Sequence, residues 1–199
     1  MSNIEEKSSP FSTISSNFQS PLNTKSSKNK ICKFNIANNH PELIFAKILL
    51  HILSENKKSK DYHKKINSNL DGHFTFKMKP SISLLDYLRR IIKYLKIEYS
   101  TLIIAMIYID RICKEKVFLN EYNIHRIMLI SIYIAYIYNE DCNYDNKYLA
   151  LVSGLSKTEM MTLEEDFLDL IDFNLYVKEE IFEKYKKYFF RDLLDYNNY

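Results

Sequence analysis

The chain has 199 residues, 46% of them apolar and 14% aromatic, with a formal net charge of +3. That is enough for one domain with a real core, and a charge this small gives no argument for nucleic acid by itself. Two glycines and four prolines leave little material for hairpins, phosphate loops or a many-stranded sheet, so an all-α fold is expected.

Residues 1 to 39 are rich in Ser, Asn and Lys and carry no sustained apolar period, the composition of a disordered tail. Ser9-Pro10 and Ser20-Pro21 within it are candidate proline-directed phosphorylation dipeptides, or ordinary serines of a tail. The opening residues are polar and include Glu5 and Glu6, unlike a secretory signal. Cys32, Cys113 and Cys142 are an odd number at wide spacing, which fits reduced thiols and neither a disulfide framework nor a zinc site. The expected location is therefore intracellular, in nucleus or cytoplasm.

Residues 40 to 79 read as a helix followed by a polar loop. Asn39 is a candidate cap with Pro41 in the first turn, and Leu43, Ile44, Ile48, Leu49, Ile52 and Leu53 face inward. From Ser54 to Lys79 the chain turns polar, with basic runs at Lys57–Lys60 and Lys64-Lys65. Such runs serve as nuclear import signals or as plain solvated surface.

Residues 80 to 176 hold the most informative segments. Ser83 and Asp86 have the spacing of a capping box, and Leu85, Leu88, Ile92 and Leu95 form one stripe of a helix. Ser100 or Thr101 opens the next helix, whose run Leu102–Ile112 is apolar except for Asp110-Arg111. Asn120 opens a third, in which Ile127–Tyr138 is apolar on every side except at Ser131. A helix with no polar face belongs at the centre of a bundle. It is too short for the ~20 residues of a membrane span. A short helix over about Asp145–Val152 ends at Gly154. Ser156 and Glu159 frame a second capping box for a helix carrying Leu163, Phe167, Leu170 and Ile171 inward. From 177 a last amphipathic helix covers roughly Lys178 to Leu194.

Asp110 and Arg111 are neighbours, so on a helix they point about 100° apart and each needs a partner elsewhere. The economical arrangement is an Arg90–Asp110 bridge between helices, a structural pair.

Nothing in the chain reads as catalytic. Its five histidines never fall at i, i+4 metal spacing. No phosphate-loop or nucleophile-elbow string exists, and Cys113 and Cys142 have no histidine at a useful distance. No cofactor, metal or small-molecule substrate is expected.

SISLLDYLRRIIKYLK, STLIIAMIYIDRIC and NEYNIHRIMLISIYIAYIYNED occur in that order, followed by NYDNKYLALVSGLSKTEMMTLEEDFLDLIDFNLYV. Together, over about Pro80 to Tyr188, they resemble the cyclin box, and specifically the P-type cyclins of the phosphate pathway and of protists. Abundant Asn, Lys, Ile and Tyr suit an A+T-rich protist genome. The resemblance implies a single five-helix cyclin box with an extra helix at each end. It also implies no catalysis of its own. Its partner would be a cyclin-dependent kinase, bound beside the kinase's C-helix and activated by pushing that helix inward.

Carried over from the family, the kinase-binding surface includes Tyr138, Glu140, Glu164, Leu168, Phe173 and Leu175. Glu164 has a plain alternative as one surface carboxylate beside Glu165, Asp166, Asp169 and Asp172. Leu168 and Leu175 could equally be core. At the position where most cyclins carry a lysine, this chain has Ile137. A lost charge-assisted hydrogen bond is worth about 1.5–3 kcal/mol. Ile137, with the basic loop, motivates an alternative: a cyclin-fold adaptor that binds other proteins or nucleic acid without activating a kinase.

Overall fold

A computed structural model describes residues 40–68, 72–140 and 146–196, and these are helical throughout, joined by turns and short loops. Ser9, Ser20, Asn39, Cys32, Cys142 and Asp145 lie outside the described residues. The helices are α1 (Pro41–Lys57), α2 (Tyr62–Ser68), α3 (Leu84–Leu95), α4 (Tyr99–Glu115), α5 (Ile124–Asn139), α6 (Asn146–Ser153), α7 (Lys157–Leu170) and α8 (Glu179–Tyr196).

The all-apolar segment takes the central place its composition demands. In α5 every residue from Ile127 to Tyr136 is buried, and Ser131 is spared a partnerless hydroxyl by donating from Oγ to the Ile127 carbonyl at 2.7 Å. α4 packs most extensively against α5, with α7 and α3 on its other sides. Burying apolar groups on both helices is what holds them together. α1 lies against α3, α4 and α8, and α6 against α3 and α7. α8 closes the bundle, its Phe189 ring 6.4 Å from that of Phe45 on α1.

Local chemistry sets the helix ends. Ser83 accepts from the Asp86 amide at α3, and Ser156 and Glu159 form a complete capping box at α7. After α6, Gly154 takes a φ of +73°, the left-handed geometry that terminates helices.

Several sequence expectations are adjusted. The buried stripe of α3 is Leu84, Tyr87, Leu88, Ile91 and Leu95, with Leu85 and Ile92 at its edge. The first helix begins at Pro41 after His40, and the expected loop after Ser54 holds the end of α1 and the short helix α2. Tyr62 and Ile66 of α2 are buried, which makes this turn amphipathic despite its lysines. Asn120 lies one turn ahead of α5. Its amide donates to Asn123 Oδ1 and Asn123 Nδ2 donates to the Phe118 carbonyl, at 2.9 and 3.0 Å. These buried asparagines fold the turn rather than cap with a side chain.

Candidate functional site

The end of α5, the outer face of α7 and the chain that follows α7 meet on one side of the bundle. Two side-chain pairs join α5 to α7. Arg126 Nη2 lies 3.1 Å from Glu159 Oε1, and further along both helices Tyr133 Oη donates to Glu164 Oε2 at 3.3 Å. Ile137 lies one turn beyond Tyr133 on α5, and Leu168 one turn beyond Glu164 on α7.

Beyond α7 the chain doubles back. Asp172 and Phe173 both adopt left-handed backbone, with φ of 53° and 52°. The Phe173 amide donates to the Leu168 carbonyl at 2.9 Å, and Lys116 Nζ meets Asp172 Oδ2 at 2.6 Å. The resulting strap, residues 172–177, is stitched to α4. Tyr108 Oη donates to the Leu175 carbonyl at 2.8 Å. Burial pushes the Tyr108 hydroxyl up to about 12, so it stays a donor at any cellular pH. The Arg111 guanidinium donates to the carbonyls of Asn174 and Tyr176, the second at 2.9 Å. A planar fork suits that double task.

This geometry answers the question posed by Asp110-Arg111, and the expected Arg90–Asp110 bridge does not form. Asp110, 2% exposed, accepts from Tyr185 Oη of α8 at 2.5 Å and pairs with Lys114 Nζ at 3.2 Å. Arg90 lies on an exposed face of α3 and donates to the Leu151 carbonyl at 3.3 Å. Arg90 lies on a helix that precedes Asp110 in the chain, whereas the fold presents a later helix to this carboxylate.

Of the carried-over residues, Ile137, Tyr138 and Phe173 are exposed apolar side chains, at 37%, 52% and 66%. Leu168 and Leu175 are half-buried against the core. Glu164 is half-buried as well, and desolvation holds its carboxyl above the usual carboxylate range, partly offset by the Tyr133 hydroxyl. Glu140 behaves differently. Its Oε1 accepts from Thr101 Oγ1 and from the Glu98 amide, at 3.3 Å for the latter. It thus supports the start of α4, whose own N-cap residue Glu98 accepts from the Ser100 hydroxyl at 3.2 Å but makes no capping bond to the helix backbone.

The sequence reading missed Tyr108 and Arg111 as the residues that hold the strap, and Tyr176 as a further exposed aromatic, at 67%. Arg111 carried a usable signal, because a guanidinium within an apolar helix must find acceptors. Tyr176 carried none.

Among the described residues no group of His, Cys, Asp and Glu could hold a metal, and no helix is long and apolar enough to cross a membrane. What these features define is an all-helical box around one buried helix, with an apolar ledge of Ile137, Tyr138, Leu168, Phe173 and Tyr176 beside a half-buried carboxylate. The family model described as Cyclin matches residues 2–175, and the chain belongs to the cyclin family. It is 43% identical over 114 residues to Cyclin-U4-3 of Arabidopsis thaliana, 56% of this chain and 52% of that one. It is 39% identical over 108 residues to Cyclin-U2-1 of the same plant, covering 53% and 49%. With Cyclin-P4-1 of Oryza sativa subsp. japonica it shares 38% over 109 residues, covering 54% and 51%. The chain spans about half the length of the curated relatives it matches. The similarity to P-type cyclins is thereby established; the relatives named are plant proteins, and a protist source is not among what they show.

Proposed function

We propose that this chain is the regulatory subunit of a cyclin-dependent serine/threonine kinase, acting inside the cell. In this reading α3 to α7 form the cyclin box. The ledge formed by Ile137, Tyr138, Leu168, Phe173 and Leu175, with Tyr176 added, receives the kinase beside its C-helix. Apolar burial supplies most of the affinity, and contact with the ledge drives the kinase helix inward. The kinase's helix glutamate then pairs with its ATP-site lysine, and the activation loop opens. The chain supplies no reacting group.

The observation that carries the reading is the clustering of exposed apolar side chains on one side of a cyclin-family bundle, on a strap held to α4 by Tyr108 and Arg111. Scattered exposed apolar residues are ordinary, whereas an adjoining group calls for a partner. Glu140, assigned to the kinase surface by resemblance, belongs instead to the support of α4 in this proposal.

The test is purification of the tagged full chain from its own cells, followed by a kinase assay on the eluate. An active cyclin-dependent kinase that is lost with Leu168→Asp supports the reading. Absence of kinase from the wild-type eluate overturns it and turns the reading to the adaptor. Nucleic acid bound by such an adaptor would show a steep salt dependence.

A further inference from the structure

The seam between α5 and α7 treats two carboxylates unlike each other. At its first level Glu159 is met by Arg126 at 3.1 Å. At the second, Glu164 is met by a phenol hydroxyl, and among the described residues no cation pairs with it. The other acidic residues nearby, Glu165 and Asp169, are exposed and keep their hydration. Glu164 is half-buried, so it has given up part of its water without gaining a counter-charge.

The surroundings of Glu164 are shaped for a particular side chain. Ile137, one turn beyond Tyr133 on α5, and Leu168, one turn beyond Glu164 on α7, each face solvent in part, and Tyr138 lies exposed beside Ile137. A long cationic side chain has an apolar stem and a charged head, and it settles where both ends are served. Here the stem finds Ile137 and Leu168 and the head finds Glu164. Neither a neutral apolar residue nor an acidic one completes the site.

We propose that the partner kinase supplies this cation: an Arg or Lys side chain docks across Ile137 and Leu168 and pairs with the Glu164 carboxylate. The inference rests on the kinase-binding reading of the ledge. It reverses the polarity the resemblance implies. In most cyclins the cation at this level belongs to the cyclin itself, whereas here it crosses the interface. Ile137 is then a determinant of which kinase fits, because it frees the carboxylate and provides the apolar bed. A charge pair at the edge of an apolar contact contributes to choice of partner as well as to affinity.

The two views predict opposite signs for one substitution. Wild type, Ile137→Lys, Glu164→Gln and Leu168→Asp chains are purified with a tag from the native cells. The kinase retained is measured as ATP-dependent phosphorylation of a Ser-Pro peptide, and each variant's melt is recorded separately. Ile137→Lys fills the slot from within and is expected to lower the retained activity about tenfold. Glu164→Gln lowers it to a similar degree, and neither variant melts below wild type by more than a few degrees. If Ile137→Lys raises retention, or Glu164→Gln leaves it unchanged while Leu168→Asp abolishes it, the cation slot is wrong and the kinase-binding reading stands. If the wild-type chain retains no kinase, both fall together.

Discussion

The Tyr185 hydroxyl of α8 donates to the buried Asp110 carboxylate of α4 at 2.5 Å. This bond joins the last described helix to the centre of the molecule, where 2% of Asp110 is exposed. Burial and the carboxylate push the Tyr185 hydroxyl up, so it remains a donor. Tyr185→Phe should therefore cost about 1.5–3 kcal/mol, the range for a hydrogen bond to a charged group. In a double-mutant cycle with Asp110→Asn the two changes should cost clearly less than their sum. Strict additivity in chemical denaturation would sink the pairing.

Arg111 spans two carbonyls of the strap, at Asn174 and Tyr176. Arg111→Lys keeps the charge and loses the fork, which is not a conservative change at such a site. The expected result is a modest loss of stability, about 1 kcal/mol, with faster hydrogen exchange confined to residues 172–177. Kinase recovery should fall more than stability does, because Phe173 and Tyr176 ride on the strap. Unchanged exchange across the strap would remove Arg111 from this role.

Glu140 accepts from Thr101 and from the Glu98 amide. It is a cap supplied from another helix. Glu140→Ala should cost about 1 kcal/mol, as loss of an N-cap does, and should leave kinase recovery within twofold once folding is secured. Loss of binding at full stability would return Glu140 to the interface.

Gly154 has a φ of +73°, and a Cβ there would meet nothing within 4 Å. Gly154→Ala tests backbone strain with no steric clash. About 1 kcal/mol of destabilisation is expected from the left-handed conformation alone, read as a lower midpoint in urea. A midpoint at or above that of wild type would show that this turn relaxes to negative φ.

Glu164 makes a pH prediction with a definite sign. Its folded-state pKa lies above the ordinary carboxylate value because of desolvation. The native state therefore holds the proton more tightly than the unfolded chain. The resulting contribution to stability is present below the unfolded pKa and is lost as pH rises through the folded one. Glu164→Gln removes it, so the variant's melting advantage over wild type should be larger at neutral pH than at pH 4. An advantage that grows on acidification would contradict the desolvated environment of this carboxylate.

Much of the fold was legible without coordinates because it depends on patterns that any packing must satisfy. The all-apolar run called for a central helix, which the fold buries from Ile127 to Tyr136 while Ile137 and Tyr138 emerge at its end; Ser156 and Glu159 marked a helix start and Gly154 a stop. For the residues carried over by resemblance, exposure and internal bonding became visible only with the fold. Ile137, Tyr138 and Phe173 are exposed, while Glu140 bonds to Thr101 and the Glu98 amide. A carboxylate after a helix looks the same in sequence whether it faces a partner or caps a neighbour 39 residues away.

What the chain determined by itself is therefore its class, its helices and its buried centre, since periodicity, capping and burial act over a few residues. Pairings across the bundle were decided only by tertiary structure. Asp110 takes Tyr185 and Lys114 rather than Arg90, Arg111 takes the strap, and Glu164 takes Tyr133 and, among the described residues, no cation. Each choice turns on which helix lies alongside at which register. That is set by packing the whole set of apolar faces at once, and a buried charge then takes whichever partner the packing delivers.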